Sequence, residues 1–355
     1  MKSISQKKYS LIGEILYMFK SFSHIYVERE IKDHARTLSI LSHFKSSVII
    51  EIDHYKDIFN RRGQNFREQK LSQKLVLAKR KDQFLYEGSH FSPSFDAPNF
   101  YYNTLALNCL YDCDYCYLQG MFSSANLVMF VNWEDYFDAT DAFLKSNQSL
   151  YLAISYDTDL LATESFFEAT NAWINFARSR SNLLLEIRTK SSNFQAISAQ
   201  LPIDNAILAW TISPDSICKT NESKTPNLKA RLTAIKSALS AGWKVRICID
   251  PILKVENWKE KYQTLIDQLD SEINLNQLYD ISFGTFRMNS EFLNRIQQIR
   301  QDSSLIYYPF ERKNQITTYS SKENEEIIQF FLACFHKTSL INFQNKLKYH
   351  SIEFR

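Results

Sequence analysis

Glycine and proline are scarce in this chain, at 6 and 7 of 355 residues, which leaves little room for long flexible or proline-rich linkers. Six cysteines are too few for a disulfide-stapled secreted scaffold. No apolar run approaches the length of a membrane-spanning helix. Charge of one sign is not in large excess either. The net charge of +3 is too small to mark a nucleic-acid partner by itself. What is abundant is apolar and aromatic material, 45% and 14% of the chain. That content suits a well-packed globular protein, with one large domain and an extension or with two domains. The opening Met1 to Lys8 is basic and Leu11 to Phe19 is apolar, but Glu14 interrupts the run and no small-residue cleavage site follows. It reads as an amphipathic helix and not as a signal peptide. Together these features predict a cytoplasmic protein with reduced thiols.

Three of the cysteines stand close together in Asn108-Cys109-Leu110-Tyr111-Asp112-Cys113-Asp114-Tyr115-Cys116-Tyr117-Leu118. Three residues separate the first pair and two the second, and no fourth cysteine follows nearby. A zinc site would want four closed ligands, usually as two pairs; His90 is the nearest upstream histidine and Cys116 has no partner pair. Three thiolates at this spacing suit three corners of a four-iron cluster. The fourth iron then stays open to bind and activate a small molecule, which points to radical chemistry and not to electron storage.

Basic residues crowd residues 56–81, from Lys56, Arg61 and Arg62 to Lys79, Arg80 and Lys81. Such a block could neutralise DNA phosphates or simply form a solvated face. Before the cysteines, Val48 to Ile52 and Lys74 to Ala78 read as short strands. After them, helical and strand patterns alternate. Residues 135–144, 164–177 and 258–269 are helical, and a further helix opens at Thr225-Pro226 with a capping hydroxyl and closes at Gly242. Residues 150–154, 183–188, 206–212, 244–249 and 279–286 are strands, most of them apolar in the middle and polar at the carboxyl end. Strands separated by helices imply βαβ units and a parallel sheet, whose carboxyl edge carries the ligand site. With Asn103 to Leu107 as first strand, the cysteine loop falls on that edge. The expected organisation is an N-terminal α/β extension over residues 1–98, a partial (β/α) barrel over 99–340 and a tail over 341–355.

The loop from Cys109 to Gln119, ending Tyr-Cys-Tyr-Leu-Gln, resembles the cluster loop of the spore photoproduct lyase family of radical S-adenosylmethionine enzymes. Val131-Asn132, Thr158-Asp159, Thr189-Lys190, Thr211-Ile212-Ser213, Arg231-Leu232, Ala241-Gly242-Trp243-Lys244, Asp250-Pro251-Ile252 and Trp258 to Tyr262 follow in family-like order. The resemblance covers roughly residues 25–340. It implies a partial barrel of radical S-adenosylmethionine type and a lyase that uses a 4Fe-4S cluster and S-adenosyl-L-methionine to reverse a thymine dimer in DNA. It also implies an electron donor such as flavodoxin or ferredoxin, and DNA as partner, met by the basic segment 56–81. A different nucleic-acid, nucleotide or peptide substrate, or a non-catalytic DNA-binding iron-sulfur protein, is the alternative.

Roles follow from the resemblance by position. Cys109, Cys113 and Cys116 would hold the cluster. Lys190 would pair with the cofactor carboxylate, and Thr158 and Thr211 would stand where serines contact the cofactor. Tyr115 and Tyr117 occupy loop positions suited to radical relay or to packing. One departure stands out. The family's hydrogen-donor cysteine precedes a Thr-Ser-Asp, and here the stretch is Ser155-Tyr156-Asp157-Thr158-Asp159. Tyr156 takes that position, and Cys218 is the other candidate donor. Cys248 and Cys334 read as structural. Arg231 reads as a surface ion-pair residue, Arg287 as an anion contact and His336 as a non-catalytic histidine.

Overall fold

The chain builds two largely parallel sheets, and it passes from one to the other immediately before the cysteine loop. The computed structural model describes residues 22–89, 92, 95, 97–340 and 346–350. The helix expected over residues 11–19 lies outside the described residues. The first sheet has five strands in the order Val48–Ile52, His24–Glu28, Leu75–Ala78, Leu127–Phe130 and Ala106–Leu107. The first four run parallel and the last antiparallel. Leu75–Ala78 and Leu127–Phe130 are buried along their whole length, as central strands covered on both faces should be. Two strands of this sheet, Leu127–Phe130 and Ala106–Leu107, come from beyond residue 98, so residues after the extension complete its sheet.

The second sheet has eight strands in the order Leu347–His350, Asp280–Thr285, Lys244–Ile252, Ala206–Thr211, Leu183–Thr189, Leu150–Ala153, Phe100–Tyr102 and Tyr86–Glu87. All pairings are parallel except the last. This is the expected partial barrel. Its first strand differs from the expected one. Phe100–Tyr102 pairs with Leu150–Ala153, whereas Ala106–Leu107 has crossed to the other sheet. Residues 347–350, placed by sequence in the tail, form the barrel's far edge strand.

One face of the barrel strands is aliphatic and the other carries charge. Val245, Ile247 and Ile249 alternate with Arg246 and Cys248, and Leu185 and Ile187 with Glu186 and Arg188. Arg246 donates to both carboxylate oxygens of Asp280 at 2.5 and 2.7 Å, to Glu186 at 2.5 Å and to the Tyr151 hydroxyl at 2.7 Å. Arg188 meets Glu186 at 3.1 Å. A buried charge costs several kcal/mol unless it is paired, and here each arginine has a carboxylate.

Two helix boundaries depart from expectation for local reasons. The helix expected over residues 164–177 is two helices, Leu160–Phe167 and Ala169–Ala177, broken at Glu168 with φ 56°. Glu164 stabilises the break, accepting from the Thr170 and Asn171 amides at 2.8 Å each, amides that a helix start leaves unpaired. The later helix is Leu228–Ser240, capped by Asn227 and not by Thr225. The Thr225 hydroxyl donates instead to the Glu222 carbonyl at 2.7 Å.

Candidate active site

The cysteine loop is fixed through its backbone carbonyls, which leaves the thiols available. Asn108 sits in the left-handed region at φ 68°, a conformation asparagine tolerates better than most residues. Its side-chain amide donates to the Ser124 and Asn126 carbonyls at 2.8 Å each. The Cys109 carbonyl accepts from Lys70 Nζ and, at 3.1 Å, from Gln73. The buried Gln119 amide reaches the carbonyls of Cys113, Asp114 and Cys116 at 2.9, 3.2 and 3.3 Å. Arg300 in turn donates to Gln119 Oε1 at 2.6 Å and contacts Asp112. None of the three cysteines is in a disulfide.

All three thiols line one cavity of about 510 Å³. The carboxyl ends of the barrel strands supply much of its wall, through Ala153, Thr189-Lys190, Thr211 and Asp250-Pro251. This is the predicted edge. Asp159 organises part of it: it accepts from the Ala162 amide at 3.1 Å, the Thr189 hydroxyl at 2.7 Å and the Lys190 amide at 2.7 Å. One carboxylate thus caps a helix and fixes the strand end that carries Lys190.

Lys190 Nζ lies 3.8 Å from Cys113 Sγ and 3.8 Å from Glu222. It also lies 4.9 Å from the centre of the Tyr115 ring, a cation–π distance. Glu222 joins these groups. It accepts from the Tyr115 hydroxyl, from Ser213 at 3.0 Å and from Arg231, and its own strand pairs antiparallel with Asp112–Cys113. Burial opposes its charge, but Lys190 and Arg231 overcome that and hold its carboxyl down at about 2. Burial pushes the thiols of Cys109 and Cys113 up from the ordinary range, Cys109 to about 12; ligation by a metal displaces such protons.

The tyrosines divide by partner. Tyr115 is tied to Glu222. Tyr117 donates to the Tyr156 carbonyl at 2.8 Å and to Asp157 at 3.0 Å. Tyr156 shares a hydrogen bond with Ser92 at 2.8 Å and stacks on Tyr102 with ring centres 4.0 Å apart. Burial raises the Tyr156 phenol above its ordinary range, so it keeps its proton at neutral pH. Tyr102, Asp157 and Glu222 were not singled out from sequence, because no spacing motif marks a lone carboxylate or a strand tyrosine, and Asp159 was noted only as part of the family-like Thr158-Asp159.

The structure brings Tyr115, Tyr117, Tyr156, Thr158, Lys190 and Thr211 to the cavity with the cysteines. Cys218 is not among the residues lining it; its thiol is buried and donates to the Ser213 carbonyl at 3.3 Å. Cys248 and Cys334 are buried, Cys334 donating to Gln263 at 2.9 Å. Arg231 is the clearest correction. It is fully buried and paired with Glu222, because its helix packs its inner face against the strand end at Thr211, whose carbonyl Arg231 also meets at 3.2 Å. Arg287 lines the cavity and forms a two-point pair with Asp250 at 2.9 Å each. His336 caps the helix Ser321–Phe335, away from the cavity wall. No residue of the segment 56–81 is among those lining the cavity.

The donors present suit a cluster. Cys109, Cys113 and Cys116 are free cysteines that line one cavity, and cysteine thiolates are the ligands of iron–sulfur clusters. Thr158 Oγ1 is buried with no hydrogen-bond partner, an unused polar atom at the cavity edge that a polar ligand would satisfy.

The family model described as spore photoproduct lyase matches residues 21–323. A spore photoproduct lyase of Bacillus subtilis is 24% identical over 181 residues, 50% of this chain and 53% of that protein. One from Clostridium acetobutylicum is 19% identical over 63% of this chain and 69% of its own length. The aligned part of this chain thus spans about half of the Bacillus relative. A solved spore photoproduct lyase complexed with dinucleoside spore photoproduct superposes with a TM-score of 0.78 at 18% identity, covering 93% of this chain and 99% of the other. A variant of such a lyase with bound AdoMet and dinucleoside spore photoproduct also gives 0.78, at 17% identity and 93% and 98% coverage. At these identities the superpositions establish the fold.

Proposed function

This chain belongs to the spore photoproduct lyase family, and on that premise we propose that it is a radical S-adenosylmethionine lyase that reverses a thymine-dimer photoproduct in DNA. The observation that carries this reading is one cavity wall shared by Cys109, Cys113 and Cys116 with Thr158, Lys190 and Thr211. The thiolates hold a 4Fe-4S cluster, the Lys190 ammonium pairs with the carboxylate of S-adenosyl-L-methionine, and the two threonine hydroxyls bind its polar groups. Once bound and reduced by one electron, the cluster and cofactor supply the 5′-deoxyadenosyl radical that takes a hydrogen atom from the lesion.

The protein's own residues then govern the fate of the lesion. By the family resemblance, Tyr156 takes the place of the hydrogen-donor cysteine. Its stacking on Tyr102 and its bond to Ser92 hold the phenol at the wall, where transfer of its hydrogen atom to a carbon radical forms a C–H bond and leaves a phenoxyl radical, which one electron from the electron carrier and one proton return to the phenol. Tyr117, anchored on Asp157 and the Tyr156 carbonyl, keeps that segment in register. Tyr115 is committed to Glu222 and serves to position Lys190. A photodamaged base pair costs less to unstack than an intact one, and Phe286, Met288 and Phe292 offer apolar contact for it, with Arg287 as the cationic group. DNA is the partner at the cavity, a low-potential carrier such as flavodoxin or ferredoxin is the electron source, and a reducing cytoplasm suits the thiols.

Anaerobic reconstitution with iron and sulfide, reduction by dithionite and assay for 5′-deoxyadenosine with dinucleoside spore photoproduct tests the reading. Cleavage of the cofactor together with thymidine release is expected. An iron-loaded protein that forms no 5′-deoxyadenosine would overturn it.

A further inference from the structure

Residues 56–74 hold six basic and two acidic side chains, on a segment that packs against the cysteine loop from the side turned away from the cavity. The helix Phe66–Leu71 makes the contact. Lys70 is buried and donates to the Cys109 carbonyl, and Gln73 donates to it at 3.1 Å. Phe66 and Lys70 close a narrow gap whose far side is Cys109, Cys113 and Cys116. Solvent is thus one helix thickness from the thiols here, about 10 Å.

The outer side of this helix is charged and partly apolar. Leu71 is 80% exposed and Arg67 is exposed and paired with Asp302, while Arg61 and Arg62 are exposed in the turn that leads into the helix. Lys224, exposed at the neighbouring turn, donates to the Lys70 carbonyl. No residue of this segment lines the cavity proposed to receive the lesion.

We propose that this face, centred on Arg61, Arg62, Leu71 and Lys224, is the docking surface for an acidic one-electron carrier protein. It rests on the reading of the cysteines as cluster ligands. The carrier is oxidised by one electron, the cluster is reduced by one, and no proton or group moves. Complementary charge steers such encounters and makes them salt-sensitive. Electron-transfer interfaces are small, below about 1,200 Å², so a single exposed leucine on a basic segment suffices as the apolar contact.

The test compares the iron-loaded protein with its R61E/R62E variant, using oxidised flavodoxin as the probe in calorimetric titrations at low salt. The flavodoxin Kd should rise at least tenfold, and 5′-deoxyadenosine formation driven by reduced flavodoxin should fall with it. Formation driven by dithionite should be unchanged, which also shows the variant is folded, and affinity for a lesion-bearing oligonucleotide should be unchanged. An unaltered flavodoxin affinity overturns the proposal. So does a tenfold loss of oligonucleotide affinity with flavodoxin binding intact, which would assign the face to DNA. Absence of dithionite-driven product in the unaltered protein would instead defeat the reading of the chemistry, and flavodoxin affinity alone would still decide the docking.

Discussion

Arg231 and Glu222 form an ion pair with neither side chain exposed, and the same glutamate faces Lys190 across 3.8 Å. Removing the arginine leaves a buried carboxylate with a single distant cation. Arg231→Met should therefore cost about 3–5 kcal/mol, read as a shift of the denaturant midpoint at constant slope. The double variant Arg231→Met/Glu222→Gln should recover a large part of that loss, since the uncompensated charge is gone. A double variant no more stable than Arg231→Met would show that packing, and not charge, sets the cost.

Lys190→Met should weaken S-adenosyl-L-methionine binding by about 10- to 100-fold, the range for a lost hydrogen bond to a charged group. Equilibrium binding to the iron-loaded protein measures it. Unchanged affinity would place the carboxylate elsewhere.

Tyr156→Phe should leave 5′-deoxyadenosine formation in place while the yield of repaired thymidine per deoxyadenosine falls at least tenfold. The phenol hydrogen is lost, and the ring stack on Tyr102 is kept. Tyr156→Cys, which restores a thiol at the position, should recover repair. Equal yields from Tyr156→Phe and the unaltered protein would remove the phenol from the reaction.

Gly120 has no room for a side chain. A Cβ there would stand 2.4 Å from the Phe292 carbonyl oxygen and 2.5 Å from its Cα. The helix Ser290–Ile299 therefore packs directly on the short helix that ends the cysteine loop. Gly120→Ala must push the two apart, at about 1–3 kcal/mol, and should lower the thermal midpoint. An unchanged midpoint would mean that the packing there is loose.

His350, on the barrel's edge strand, is held down at about 4, first by burial and then by the arginines Arg287, Arg188 and Arg246 against the opposing pull of Asp250. The neutral ring is the form the fold favours. Its contribution is present above the unfolded value near 6.5 and is lost as pH falls toward 4. Stability should drop by up to about 2 kcal/mol between pH 7 and pH 5 from this group. His350→Phe should remove that part of the slope in urea titrations at the two pH values.

Much of the fold was legible because buried parallel strands carry dense apolar runs. Leu75–Ala78, Leu150–Ala153 and Ala206–Thr211 lie where those runs predict them, and the mostly exposed edge strand Val48–Ile52 was found by its β-branched run. The first barrel strand was misplaced because Phe100–Tyr102 and Ala106–Leu107 are short, and sequence does not say which sheet each joins. Arg231 was read as exposed because a helical arginine usually is. Only tertiary packing brings Glu222 beneath it. The cysteines were picked out by spacing, and Thr158, Lys190 and Thr211 by the family resemblance, and all six line one cavity. Glu222, which holds Lys190 and Arg231 in place, was not picked out, since a carboxylate that acts through packing leaves no pattern along the chain.

Ligation of an S-adenosyl-L-methionine-cleaving cluster by Cys109, Cys113 and Cys116 is directly measurable. Anaerobically reconstituted protein, reduced and mixed with the cofactor, should show about four irons per chain bound through sulfur and should form 5′-deoxyadenosine. Cys113→Ala should abolish both the cluster and the product. Iron bound at full occupancy in Cys113→Ala, or a fully loaded protein that leaves the cofactor intact, would contradict it.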